Sequence, residues 1–220
     1  MIFAKIDFIN LLPFYIYLKK NLKSNQMKQI IEYKKSYPAH INKKFLKRQV
    51  DGAFISSIKS KNQKGLDIGI IAKDEVFSVI AIKGEYKKDY QSDTSNVLAQ
   101  VLGINGEVLI GDKALQYYYS HDKKGFIDLA DAWNKKYNLP FVFARLCINK
   151  NNEEFNKVVH NFVNSKVYIP QYIVKKYAKR SNLQIKQIQE YLTKISYKIE
   201  TKEKQSLKKF FKLAKTIKRK

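Results

Sequence analysis

The chain has 220 residues, 45% hydrophobic and 13% aromatic, with 43 basic against 19 acidic side chains and a formal net charge of +24. That apolar content supports a sizeable core and excludes wholesale disorder, and no apolar run approaches the ~18–20 residues that span a bilayer. Only four of the basic residues are Arg (Arg48, Arg145, Arg180 and Arg219), so bidentate reading of guanine or phosphate is poorly provided for and no nucleic-acid partner is expected.

Residues 2–9 read as a strand with Ile2, Ala4, Ile6 and Phe8 on one side. This stretch lacks the basic start and small-residue cleavage site of a signal peptide, so a cytoplasmic protein is expected. Asn10-Leu11-Leu12-Pro13 then turns into a helix, with Pro13 suited to its first turn. Ile41, Phe45 and Leu46 mark one face of a helix ending near Arg48. Short apolar runs at 52–55, 68–72 and 77–82 fit strands buried in a parallel sheet. A helix is expected to begin at Thr94 or Ser95, a buried strand covers 108–110, a helix 128–137 and a strand 141–147. Cys147, the single cysteine, cannot form an internal disulfide and reads as a buried structural thiol in that last strand.

Beyond Asn149 helices dominate. Phe155, Val158, Val159, Phe162 and Val163 recur at helical spacing; Pro170 can start a second helix, 184–192 forms a third and 202–217 a fourth. The last carries Leu207, Phe210, Phe211, Ala214 and Ile217 on one face and lysines on the other. Capping a soluble core is the preferred reading, although weak association with an anionic membrane surface fits the same pattern.

Common catalytic arrangements are missing. His40, His121 and His160 form no triad or metal-binding spacing, and eight glycines make no phosphate loop; no metal and no cofactor are expected. Small polar residues instead follow the strands, where an open α/β sheet builds its ligand crevice. They are Asn10, Ser56 and Ser57, and Gly111 with Asp112; Ser78 falls inside the 77–82 run, and Thr94 and Ser95 stand at a helix start whose free N–H groups favour a carboxylate. Singly, each is explained as a turn or a cap. Jointly they point to a cleft for a small anion, toward which the lysine excess steers charge.

Several stretches resemble a known family. Asp7-Phe8-Ile9-Asn10-Leu11-Leu12-Pro13-Phe14-Tyr15 is similar to the N-terminal signature of the chorismate dehydratases of the futalosine route to menaquinone. Val50-Asp51-Gly52-Ala53-Phe54-Ile55-Ser56-Ser57, Ser92-Asp93-Thr94-Ser95-Asn96-Val97-Leu98-Ala99 and Leu109-Ile110-Gly111-Asp112-Lys113-Ala114-Leu115 resemble further family segments in order. So do Asp128-Leu129 through Trp133 and Leu139-Pro140-Phe141-Val142-Phe143-Ala144, with Asn138 standing where the family has glycine.

The resemblance implies an α/β, two-lobed, type II periplasmic-binding-protein-like fold with the ligand cleft between lobes. Lobe one is expected over 1–80 plus 146–220 and lobe two over 81–145. Lobe two reads as shortened, because only Gly103-Ile104-Asn105-Gly106-Glu107 separate its first helix from the 108–110 strand. The implied reaction is loss of water from chorismate, a dianion, to give 3-[(1-carboxyvinyl)oxy]benzoate. Asn10 would lie near the reacting ring, Ser78 would be a polar contact, and Thr94 and Ser95 would bind carboxylate. Asn10 is a poor base, so it is expected to position and polarise while a substrate carboxylate or a bound water takes the proton. Asp112 is either a base or a residue fixing a helix start. The alternative is a non-catalytic binding protein for a small anionic solute on the same fold.

Overall fold

The structure is a computed structural model that describes residues 1–217, the Tyr33 side chain excepted; residues 218–220, the end of the basic tail that includes Arg219, lie outside it. Two sheets organise the chain. The larger holds β1 (Phe3–Ile6), β2 (Lys35–Ser36), β3 (Gly52–Ser56), β4 (Gly65–Ala72), β8 (Phe141–Ile148) and β9 (Ile195–Lys198) in the order β2-β1-β3-β8-β4-β9. The smaller holds β5 (Val79–Ile82), β6 (Glu107–Ile110) and β7 (Phe126–Asp128) in the order β6-β5-β7. The chain crosses to the smaller sheet between β4 and β5 and returns before β8. The lobe boundaries expected at 80 and 145 therefore fall inside β5 and β8, a few residues past each crossing.

The sheets are not parallel throughout. β1 runs parallel to β2 and β3, but β8 runs antiparallel to both β3 and β4, and every pair in the smaller sheet is antiparallel. Short apolar runs signal burial on both faces, which the returning strand β8 provides as well as a parallel neighbour would.

The helices cover the sheets: α1 (Leu12–Asn21), α2 (Asn25–Tyr33), α3 (Pro38–Leu46), α4 (Ser57–Ser60), α5 (Asp93–Leu102), α6 (Gly111–Ser120), α7 (Leu129–Tyr137), α8 (Glu153–Phe162), α9 (Gln171–Ser181), α10 (Ile185–Thr193) and α11 (Thr201–Ile217). Pro13 sits in the first turn of α1, where its missing N–H costs nothing. In α3, Ile41 and Phe45 are buried as expected but Leu46 is 45% exposed. The buried face carries Asn42 instead.

Aromatic packing joins the elements under the larger sheet. The Phe14 ring meets Phe54 edge-on at 4.9 Å and Phe162 at 5.2 Å, and Phe3 lies 5.1 Å from Phe155. The helical tail closes the core from the other end. Phe210 of α11 lies 5.1 Å from Phe141, and the buried Trp133 indole N–H donates to Ser206 Oγ at 3.0 Å. The apolar face of α11, with Leu207, Phe210 and Ala214 buried, is thus spent on the protein's own interior. No helix among the described residues is long and apolar enough to cross a membrane.

Candidate functional site

A cavity opens between the two sheets, enclosing about 540 Å³ of space not filled by atoms, its mouth included. Its walls are mostly apolar, with Ile6, Phe8, Ile70, Val79, Ile110 and Phe143 among them. Asn10, Ser56, Ser78, Thr94, Ser95 and Gly111 also line it. Six of the eight residues singled out in the sequence therefore meet in one place, each delivered by a strand end or helix start.

Asn10 sits in a single 3-10 turn, Ile9–Leu11, between β1 and α1. The Tyr15 hydroxyl accepts from the Ile6 N–H at 3.1 Å and ties the strand end to α1, while the Tyr197 hydroxyl donates to the Asn10 carbonyl oxygen. The Asn10 side chain is 8% exposed, and its Oδ1 is buried without a hydrogen-bond partner. A buried unpaired acceptor costs about 1–3 kcal/mol, and its position in the cavity wall marks it for a ligand.

The hydroxyls share one property. Ser56 Oγ accepts from Asn42 Nδ2 at 2.8 Å, Ser78 Oγ from the Tyr191 hydroxyl at 2.8 Å, Ser95 Oγ from Ser92 Oγ at 2.8 Å, and Thr94 Oγ1 from the Ile58 N–H at 3.3 Å. A hydroxyl has one proton. With an acceptor lone pair engaged by the protein, each of the four can keep its own proton for a ligand in the cavity. Two helix starts add to this field: α5, capped by Ser92, and α6, whose first residue is Gly111. Gly111 adopts φ +63°, a backbone conformation that favours glycine, and a Cβ there would lie 3.1 Å from the Phe8 ring and press on it.

Ser78 precedes β5 rather than lying inside it, because Phe77 takes φ +62° and breaks the strand expected from residue 77. Asp128 holds that turn. Its Oδ2 accepts from the Val76 N–H at 2.9 Å and the Phe77 N–H at 2.7 Å, and its Oδ1 caps α7 through Ala130 and Asp131. Burial pushes the Asp128 carboxyl up to about 6, against the four N–H donors that favour its charge.

Ser57 and Asp112 do not line the cavity. The Ser57 hydroxyl is fully buried and donates to the Val142 carbonyl at 2.5 Å, pinning α4 to β8. Asp112 Oδ2 accepts from Arg180 at 3.0 Å, and the same guanidinium donates to Asp7 Oδ2 at 2.9 Å and to the Asp7 carbonyl at 3.0 Å. Burial raises the Asp112 carboxyl and Arg180 pulls it back. Through Arg180 of α9, Asp112 joins the start of α6 to Asp7, just past β1, while its Oδ1 is buried without a hydrogen-bond partner.

Asn42, Tyr191 and Tyr197 were not singled out from the sequence. Asn42 left a trace, an amide on the apolar face marked by Ile41 and Phe45; it clamps Ser56 through the Ser56 N–H at 3.0 Å as well as its hydroxyl. The tyrosines reach the site only by folding of the tail. Cys147 is buried, and burial pushes its thiol up to about 12. Among the described residues no group of three or more His, Cys, Asp or Glu could hold a metal.

The pattern of a family described as "Menaquinone biosynthesis" matches residues 76–216. A curated protein of Campylobacter jejuni subsp. jejuni serotype O:23/36 (strain 81-176), named "Chorismate dehydratase", is 46% identical over 99% of this chain and 99% of its own. The chain belongs to the menaquinone-biosynthesis family. Two solved structures share the fold: protein AF1704 from Archaeoglobus fulgidus, TM-score 0.68 at 13% identity over 99% of this chain and 97% of that one, and an ABC transporter from Parabacteroides distasonis, TM-score 0.58 at 14% identity over 97% and 91%. The mixed α/β, two-sheet architecture with a cavity between the sheets is thus the receptor-like fold expected from the family resemblance.

Proposed function

We propose that the protein is a chorismate dehydratase, a hydro-lyase that converts chorismate to 3-[(1-carboxyvinyl)oxy]benzoate and water. The observation that carries this reading is the cavity itself. Four hydroxyl donors, one unpaired amide oxygen and two helix starts face an apolar chamber, and among the described residues no Asp, Glu, His or Lys lines it. Such a lining suits a dianionic, largely apolar ring without fixing any counter-charge to it. The full-length likeness to a relative named for this activity supports the same conclusion.

The chemistry needs little more than position. The C3–H bond lies at the end of a double bond conjugated with the ring carboxylate, so charge released on its cleavage spreads onto that carboxylate. Thr94 and Ser95, with the start of α5 behind them, are suited to hold the ring carboxylate, where each donor strengthens as charge arrives. With no protein base lining the cavity among the described residues, the proton passes to a carboxylate that the substrate itself brings or to a bound water. The C4–O bond breaks, the departing hydroxide takes up the proton as water, and the ring becomes aromatic. Asn10 and Ser78 orient the reacting edge, with the Ser78 proton directed at the leaving oxygen.

In this reading lobe one comprises 1–80 with 146–220 and lobe two 81–145, each boundary moved back to the nearby strand crossing. The small dianion is the partner, the basic surface steers it, and the protein works in the cytoplasm, where chorismate is made. Incubation of purified protein with chorismate, followed by mass spectrometry, tests the reading. A new benzoate, lighter than chorismate by one water, is expected. Saturable binding of chorismate with no product would instead make the protein an anion-binding module of the same fold.

A further inference from the structure

We propose that Asn42 is a positioning residue that makes the Ser56 hydroxyl a hydrogen-bond donor to a substrate carboxylate and holds it beside the start of α5; this rests on the dehydratase reading above.

Asn42 stands on α3, 1% exposed, on the buried face it shares with Ile41 and Phe45, and it does not line the cavity. Its Oδ1 accepts from the Ser56 N–H at 3.0 Å, and its Nδ2 donates to Ser56 Oγ at 2.8 Å and to Asp93 Oδ2 at 2.7 Å. Two of these partners allow one role only. A backbone N–H donates and a carboxylate accepts, so the amide has a single orientation and both of its Nδ2 protons are assigned. The bond between the two side chains therefore runs from the amide to the hydroxyl. Ser56 Oγ is an acceptor within the protein, and its own proton is left for a ligand in the cavity it lines.

The same nitrogen sets where that proton is presented. Ser56 ends β3 in the larger sheet, whereas Asp93 is the first residue of α5, which follows β5 of the smaller sheet. Both are held by Asn42 Nδ2, so their bonded oxygens are at most two hydrogen-bond lengths apart. The Ile58 N–H, donating to Thr94 Oγ1 at 3.3 Å, makes a second tie along this seam. Ser56 thus stands beside Thr94 and Ser95, and hydroxyls from both sides of the seam share one wall of the cavity. A carboxylate, which only accepts, fits such a row of donors. It carries its charge before any bond breaks, so loss of the Ser56 donor is felt in KM more than in kcat.

The test exchanges the amide and the carboxylate. In Asn42→Asp combined with Asp93→Asn, the introduced carboxylate still accepts from the Ser56 N–H, and the introduced amide restores the bond across the seam. Net charge is unchanged, and the negative group moves by one hydrogen-bond length. Only the bond to the Ser56 hydroxyl is reversed, because a carboxylate oxygen now faces Oγ and draws its proton. KM for chorismate is expected to rise about 10–100-fold, the loss of one hydrogen bond to a charged group, with kcat within about threefold and the thermal transition retained. In a Ser56→Ala background the same exchange is expected to cost less than about threefold in KM, since no hydroxyl remains to be reversed. An unchanged KM, or an equal rise in both backgrounds, would overturn the proposal. If the exchanged protein loses its thermal transition, neutron diffraction from the deuterated wild-type protein decides. One Asn42 Nδ2 deuteron is expected on Asp93 and the other on Ser56 Oγ, and a Ser56 deuteron directed at the amide would overturn the arrangement. A wild-type protein that leaves chorismate unchanged but shows those deuterons would refute the dehydratase reading and leave the arrangement standing.

Discussion

Replacing Asn10 by Asp changes one buried donor group to oxygen at nearly constant shape, and the site gives the result a definite sign. The side chain is 8% exposed, and among the described residues no cationic side chain lines its cavity to compensate a new charge. A carboxylate there would face the two carboxylates of the substrate. At an effective dielectric constant of about 20 and a separation of about 6 Å, each repulsion is worth roughly 3 kcal/mol. Even one such term corresponds to about a 100-fold loss in kcat/KM. Desolvation raises the carboxyl of a buried Asp, so the variant regains its neutral form as the pH falls. The expected behaviour of Asn10→Asp in steady-state assays with chorismate is therefore a large loss near pH 8 that shrinks toward pH 5. Asn10→Ala should show a loss with no such recovery. Wild-type kcat/KM in Asn10→Asp, or a loss that ignores pH, would refute the reasoning that a neutral, unpaired acceptor is what this position supplies.

Three further outcomes test the surrounding structure. Ser206→Ala strands the buried Trp133 N–H and should cost about 1–3 kcal/mol in urea unfolding, lowering Tm by roughly 2–4 °C per kcal/mol; an unchanged Tm would show that α11 is not docked through this bond. Ser57→Ala removes the tether to Val142 and should lower stability by about 1 kcal/mol while leaving KM near wild type, whereas Ser56→Ala should raise KM and also cost about 1 kcal/mol, because it leaves one Asn42 Nδ2–H unpaired. Cys147, buried and with its thiol raised to about 12, should resist a thiol reagent at pH 8 in the native protein and react once the chain is unfolded. Rapid native labelling would contradict its burial.

What could be read from the sequence follows the range of the interactions involved. Asn10, Ser56, Thr94 and Ser95 stand next to the strand ends and helix starts that deliver them, so local signals such as the Leu12-Pro13 helix start and the helix start expected at Thr94 or Ser95 located them, although α5 begins slightly earlier, at Asp93 behind the Ser92 cap. Ser57 and Ser56 are adjacent and chemically identical, and only the register of α4 against β8 decides which hydroxyl faces the cavity. Asp112 carries a local capping position and a long-range partner, Arg180, that no spacing announces. The turn at Phe77 is hidden because an apolar run reads as strand, while the Asp128 grip that bends it comes from 51 residues away. β9 is four residues long in a helical tail and owes its conformation to pairing with β4. Tyr191 and Tyr197, which reach Ser78 and Asn10 across more than a hundred residues, are visible only once that tail has folded back.

The central claim is that the neutral cavity between the sheets, and not the charged groove lined by Lys5, Lys19, Lys35, Lys176 and Arg180, receives the substrate. A crystal structure of the protein with the aromatic product bound tests this most directly. The account predicts the ring between Asn10 and Ser78, with a carboxylate on Thr94 and Ser95 at the start of α5. Product held in the charged groove, with the cavity unoccupied, would contradict it.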